Sequence, residues 1–400
     1  MNPSVLVTDG EQRSALAVVR SLGRAGYRLH VCASRAHSLA AVSRYVRESA
    51  LVPDPLSDPR AYASAVGALV RRWGVRLILP VTDASHLALL PALAGCSQAI
   101  LPGPTLDAFR RVSDKAEVLR RAAELGIAVP RQHEVASSDA VSTVVAEGLE
   151  YPIVIKPARS VHEMSGGERR IKLGVHYGRS ERELLDKLSE LPAAAFPVLL
   201  QRRIGGPGVG VFLLLWEGRL VAAFSHRRLR EKPPSGGVSV YRESVPLDPE
   251  LLASSRGLLE AFGWQGVAMV EYKVCTRTGT PFLMEVNGRF WGSLQLAIDA
   301  GVDFPRLLAE AASGAAPAPV LDYRVPVRSR WLWGDVDHLL ARLFRSDTQR
   351  PEREDLPSRG RLLLDFVRPC RPAEKTEVLR LSDPKPFVRE SVDWWRGLGA

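Results

Sequence analysis

The first hundred residues constrain the fold most, because short apolar runs alternate there with amphipathic segments of helical period. Val5-Leu-Val and residues 28–32 (Arg-Leu-His-Val-Cys) read as strands, and residues 75–81 (Val-Arg-Leu-Ile-Leu-Pro-Val) as a buried one. Between them, residues 14–22, closed by Gly23, and residues 61–73 carry helix patterns. Such alternation needs crossover connections, and hence a parallel sheet with helices on both faces. The first turn, Thr8-Asp9-Gly10-Glu11-Gln12-Arg13-Ser14, lacks two of the three glycines of a dinucleotide fingerprint, which argues against NAD or FAD. A turn at the carboxyl edge of such a sheet still suits a small substrate.

A chain of 400 residues suits two or three packed units rather than one. After Pro102-Gly-Pro, residues 113–125 read as a helix closed by Gly126, with Ser113 as its cap. Tyr151-Pro-Ile-Val-Ile-Lys156-Pro is a strand, followed by a loop over residues 158–167 that ends in Gly166-Gly167. A strand at 171–175, a helix at 181–188 and a strand at 198–201 complete an α+β unit. Residues 211–216 and 219–226 read as a hairpin turning at Glu217-Gly218, and residues 266–274 and 281–287 as another. The Ala/Pro-rich stretch at 315–320 looks like a domain edge. The last eighty residues read as an appended helical region, where an oligomer contact is expected.

The net charge of +10 comes mostly from Arg spread along the whole chain, without a basic stripe or a reader motif. Nucleic acid is therefore not the expected partner, and anionic small molecules suit the charge as well. No apolar run is long enough to span a membrane, and no signal pattern opens the chain, so a cytoplasmic protein is expected. Cys32, Cys96, Cys275 and Cys370 are scattered, and reduced, buried thiols are expected.

Chemistry concentrates in Phe282-Leu-Met-Glu285-Val-Asn287-Gly-Arg289. Strand alternation puts Glu285 and Asn287 on one face, and Glu271 lies at hairpin distance on the partner strand. Three hard oxygen donors beside a guanidinium suit Mg2+ (or Mn2+) with a nucleotide. A cross-strand hydrogen-bond network with Arg289 as a salt-bridge partner explains the same residues equally. Lys156, at a strand end before the Gly166-Gly167 loop, suits phosphate. Lys115 sits unfavourably at a helix start, which hints at a ligand, although a solvated lysine reads as well. Leu200-Gln201-Arg202-Arg203-Ile204 could read an adenine edge, or could be a plain strand end. The cationic loop at 225–237 should turn some of His226, Arg227 and Arg230 toward an anionic acceptor, unless it is a solvated loop.

Together, Tyr-Pro-Ile-Val-Ile-Lys156-Pro and Met-Glu285-Val-Asn287-Gly-Arg289, in this order, make the chain resemble the ATP-grasp superfamily. The resemblance covers about residues 1–315 and is nearest the carbamoyl phosphate synthetase and biotin carboxylase branch and carboxylate–amine ligase-like members. It implies a mixed α/β and α+β architecture. A Rossmann-like N-terminal pre-domain would occupy residues 1–105, an ATP-grasp small lobe 106–195, a large lobe 196–318 and a C-terminal helical extension 319–400. It implies that ATP and magnesium are used, with Lys115 and Lys156 on phosphate, Gly166 and Gly167 in a mobile flap, and Gln201 and Ile204 meeting adenine. Glu271, Glu285 and Asn287 would hold metal, while Arg289, with Lys156, would stabilise the transferring phosphoryl group. The implied reaction is ligation of a small-molecule carboxylate to an amine through an acyl phosphate. A non-catalytic ATP-binding regulatory protein and a small-molecule kinase are the alternatives. Biotin carboxylation fits less well, because no biotin-accepting Met-Lys pair is present. The chain departs from the family at Gly205-Gly206-Pro207-Gly208-Val209-Gly210, where an acidic ribose contact is usual, and in a flap that carries His162, Glu163 and Arg169.

Overall fold

The computed structural model describes residues 2–95, 97–141, 145, 148–163, 170–234, 236–344, 358–367 and 374–398. The N-terminal alternation folds into four parallel strands: β1 (Ser4–Val7), β2 (Arg28–Ala33), β3 (Val46–Leu51) and β4 (Leu77–Leu79), in the order β3-β2-β1-β4. Helix α1 (Arg13–Arg24) packs on the face carrying Val5 and Val7. Helices α2 (Pro59–Trp73) and α3 (Asp83–Ala92) cover the face carrying Leu6 and Ile78. Strand β3 and helix α3 were not legible in the sequence: β3 is largely exposed, and Pro91 sits inside α3.

The helix expected over 113–125 is α5 (Lys115–Glu124), and a short helix that was not expected, α4 (Leu106–Val112), precedes it. The cap is Asp114, whose carboxylate accepts from the N–H groups of Ala116 and Glu117 at 3.1 and 3.2 Å. Ser113 is not the cap; its hydroxyl donates back to Phe109 O at 2.7 Å.

The small lobe is an antiparallel sheet of β5 (Gln132–Val135), β6 (Ile153–Pro157), β9 (His176–Gly178) and β10 (Val198–Arg202), in the order β5-β10-β6-β9, backed by α6 (Glu181–Ser189). Beside it stands a hairpin of β7 (Val161–Glu163) and β8 (Arg170–Lys172). The strand expected at 171–175 is β8, which ends at Lys172, and β9 begins only at His176. Gly166 and Gly167, with Arg169, lie outside the described residues.

A seven-stranded sheet forms the large lobe, in the order β15-β14-β11-β12-β13-β16-β17. Its strands are β11 (Gly208–Trp216), β12 (Arg219–Lys232), β13 (Val238–Ser244), β14 (Gly266–Val274), β15 (Pro281–Asn287), β16 (Arg328–Arg330) and β17 (Glu374–Thr376). The β11–β12 turn places Glu217 (φ 49°) and Gly218 (φ 72°) in the left-handed region, as a two-residue hairpin turn requires. Alternation along β11 feeds two cores. Phe212 and Leu214 meet α1, α8 (Leu294–Ala300) and α9 (Phe304–Ala312), while Val211, Leu213 and Leu215 meet α4, α5 and α7 (Pro249–Ala261). Both faces are thus buried over the middle of the sheet, and only its ends are free to carry chemistry.

The C-terminal region is not simply an appended helical unit. Besides α10 (Leu332–Phe344), α11 (Arg359–Val367) and α12 (Lys385–Leu398), it supplies β16 and β17 to the large sheet. Asp383 fastens it to the N-terminal domain, accepting from Arg20 Nε at 2.9 Å, Ser43 Oγ at 2.8 Å and Arg44 N at 3.0 Å. Cys32 is buried but Cys275 is partly exposed, because it stands in the β14–β15 turn; Cys96 and Cys370 fall outside the described residues. No helix among the described residues is long and apolar enough to cross a membrane.

Candidate active site

One face of the large sheet changes from apolar to charged along its strands. Register sets the rows. Phe224, Phe212, Met269 and Asn287 stand side by side on β12, β11, β14 and β15, and the next row is His226, Gly210, Glu271 and Glu285. Glu271 and Glu285 are direct cross-strand partners. A bulge beside them, at Met284, restarts the register. Asn287 Nδ2 donates to Glu285 Oε1 at 3.0 Å.

The glycines of β11 have a packing reason. A Cβ on Gly208 would stand 2.9 Å from Arg228 Cδ, and one on Gly210 would stand 2.6 Å from the Phe212 ring. Bare backbone lets Arg228 cross β11 and donate to a Glu271 carboxylate oxygen two strands away. Arg228 also donates to Glu231 Oε1 at 2.9 Å and Gly237 O at 3.2 Å.

The small lobe forms the opposite wall. Lys156, buried on β6, donates to Gln201 Oε1 at 2.8 Å. Lys115 opens α5, whose first N–H bonds Ala158 O at 2.8 Å. Its Nζ donates to Ser160 Oγ at 2.8 Å and lies 3.9 Å from Glu285 Oε2. Arg289 leaves β15 to bond Asp83 Oδ2 (3.0 Å) on α3 and Asn287 Oδ1 (3.1 Å). Gly288 permits this exit, since any Cβ there would strike Trp264 at 2.2 Å. Between the walls lies a cleft of about 630 Å3.

The charges are not equivalent. Burial pushes Glu271 above the usual carboxylate range despite Arg228. Burial acts on Glu285 too, but Lys115 and Lys156 outweigh it and hold the group below that range. Burial brings Lys156 down to about 8 against the pull of both acids. His226 is driven well below its ordinary value by burial, with Arg242 and Arg228 adding to the effect, so it is neutral at pH 7.

This succession of an N-terminal parallel sheet and two further sheets is a fold with solved relatives. An L-amino acid ligase from Bacillus licheniformis superposes with a TM-score of 0.60 at 18% identity, over 78% of this chain and 75% of that one. N5-carboxyaminoimidazole synthetase from Staphylococcus aureus gives 0.64 at 14% identity, over 86% and 88%. A biotin carboxylase from Campylobacter jejuni gives 0.62 at 18%, over 79% and 72%. The sequence family described as "ATP-grasp in the biosynthetic pathway with Ter operon" matches residues 195–332. The chain has the ATP-grasp fold. Among curated proteins no match is found.

The ATP-grasp cleft brings together Lys115, Lys156, His226, Glu271, Glu285, Asn287 and Arg289. Gln201 does not line it, because its side chain is turned inward between Lys156 and Gln132. Ile204 lines a separate recess of about 410 Å3 behind the strand end, with Arg202, Arg203 and Arg277.

Arg227 and Arg230 are corrections to the sequence reading. The expected loop at 225–237 is mostly strand β12, and a bulge at Leu229 shifts its phase. Arg227 leaves on the far face by alternation from His226, and the bulge sends Arg230 to that face as well. Arg227 pairs with Glu243, and Arg230 grips Asp335 through two bonds of 2.6 Å. The cleft cation is Arg228, which shares a strand face with His226; alternation from His226 was the available signal. Arg13, Asp83 and Tyr177 also line the cleft, and only tertiary packing reveals them.

Proposed function

We propose that this ATP-grasp protein is an ATP- and magnesium-dependent ligase that activates a small-molecule carboxylate as an acyl phosphate and transfers it to an amine. One observation carries the reading: Glu271, Glu285 and Asn287 on one hairpin face Lys115 and Lys156 across the cleft, with Arg289 at its edge.

The donor set fits magnesium. Two carboxylates and an amide oxygen are hard ligands that leave positions for phosphate oxygens and water. Among the described residues no three His, Cys, Asp or Glu side chains form a cage, so Asn287 and the nucleotide's phosphate oxygens would have to complete the set. When bound, the metal would offset charge on the phosphates. The chain's own residues do the rest. Lys115 and Lys156 attract and orient the phosphate tail, and Arg289, fixed by Asp83 and Asn287, presents a steady positive charge to the oxygens that gain charge on transfer. No side-chain nucleophile is needed, since the substrate carboxylate attacks.

The test is phosphate release from ATP with pooled carboxylates, with and without pooled amines. Release that needs both pools supports a ligase. ADP with a stable phosphorylated product would mean a kinase, and nucleotide binding without turnover would mean a regulatory protein.

A further inference from the structure

We propose that Arg13 is a specificity-determining residue of the substrate subsite, and that the carboxylate substrate carries a second anionic group, of carboxylate or phosphate type, which Arg13 holds. The proposal rests on the ligase reading above for the first carboxylate.

Arg13 opens α1 and reaches the cleft wall, where its side chain is 12% exposed. It is held from behind. Nη1 donates to Glu377 Oε2 at 2.5 Å, and the guanidinium carbon lies 3.8 Å over the Trp331 ring. Both partners come from the C-terminal region, which gives that region a place in the site. Among the described residues no other acceptor takes the remaining N–H groups, although a guanidinium presents five in a planar fork. Gly292 lines the cleft beside it, where a Cβ would approach Nη2 to 3.1 Å, so a bare backbone leaves that edge open.

The charge at this end is not balanced. Glu377 Oε2 also accepts from Arg242, which is fully buried, so two guanidiniums share one carboxylate, and the other acid near Arg13, Glu390, is raised to about 7 by burial and so only partly offsets the excess positive charge. The cations of the reaction centre are committed elsewhere: Arg289 to Asp83 and Asn287, Arg228 to Glu231 and Glu271, and Lys115 to Ser160 and Glu285. Arg13 shares none of these partners. Two separate cationic anchors in one cleft suit a ligand with two separate anionic groups. The cleft wall is polar as well. Ser239 Oγ and Trp291 Nε1, on buried residues that line the cleft, have no hydrogen-bond partner among the described residues.

The experiment uses the full chain with Mg2+ and a non-hydrolysable ATP analogue, titrated with butyrate, glutarate and phosphonobutyrate. These share a carboxylate and differ in the charge at the far end. The wild type should bind one of the two dianions at least about ten-fold more tightly than butyrate, and whichever is preferred identifies the second group as carboxylate or phosphate type. Arg13→Gln should erase that preference while leaving butyrate and analogue affinity unchanged, the latter also showing that the variant folds. Arg13→Lys should restore part of it. In turnover, the loss should appear in KM for the dianion, with kcat and KM for ATP preserved. Equal binding of all three probes, no binding of any, or an equal loss of butyrate and dianion in Arg13→Gln would overturn the proposal. A dianion preference that depends on Arg13, without phosphate release from any pool, would retain the subsite and remove the ligase reading. Turnover indifferent to Arg13 would do the reverse.

Discussion

Glu271 and Glu285 face each other directly across β14 and β15, yet they titrate in opposite directions because different cations hold them. Glu271 answers to Arg228 on its own sheet, and Glu285 to lysines of the opposite lobe. Glu285 therefore couples lobe position to charge. Glu285→Gln should lower phosphate release on the order of 100-fold or more, with secondary structure by circular dichroism unchanged. A chelator should abolish release from the wild type, and added Mg2+ or Mn2+ should restore it.

Arg228 is part-buried and neutralises Glu231 and Glu271 together. Arg228→Met should cost about 3 kcal/mol in urea unfolding, because it strands charge in the sheet. Adding Glu271→Gln should recover part of that loss, since the stranded carboxylate is then gone. Additive losses would show that Arg228 acts through packing across Gly208 instead.

Lys156 has a folded value of about 8 against an ordinary 10.5. Between those pH values the unfolded chain binds a proton that the folded one does not, so folded stability rises with pH there. Relative to Lys156→Met, the wild type should gain stability as pH rises from about 8 toward 10.5, measured by chemical denaturation. Over the same lower limb, KM for ATP should rise as the ammonium is lost, and Lys156→Arg should flatten that rise.

Glu390 carries the opposite sign. Burial raises it to about 7, against the hydrogen bond that Trp331 Nε1 donates at 2.8 Å. Its contribution is fully present below the ordinary value of 4.5 and is lost as pH rises through about 7. Glu390→Gln should therefore match the wild type at pH 4 and exceed it in thermal stability at pH 8.

Arg230 stands on the far side of the sheet from the cleft, sharing fully buried Asp335 with Arg330. Arg230→Met should leave the KM of both substrates unchanged and lower stability by roughly 2 kcal/mol, as removal of one partner of a buried pair does. A raised acceptor KM with intact stability would contradict this placement.

Much of this architecture was legible because it follows from local rules. The hairpin of Gly266–Val274 and Pro281–Asn287 was readable from alternation, and so was the two-residue turn at Glu217 and Gly218. The pairing of Glu271 with Glu285 followed from hairpin spacing. Arg230 was misplaced because a bulge costs one residue and leaves no mark in the sequence, yet it reverses the side chains beyond it, whereas Arg227, before the bulge, was misplaced because a segment read as loop carries no alternation. The start of α5 was placed one residue early because Ser113 and Asp114 are both good caps, and only the folded backbone chooses between them.

The sequence by itself determined the periodicities, and with them the parallel N-terminal sheet, the two hairpins and the face shared by Glu285 and Asn287. Tertiary structure decided which charges meet. It set Lys115 and Lys156 against Glu285, carried Arg228 across Gly208 to Glu271, and brought Glu377 from the far end of the chain behind Arg13. The physical reason is range: strand and helix periods are set by neighbours in the chain, whereas an ion pair depends on where packed cores place residues hundreds of positions apart.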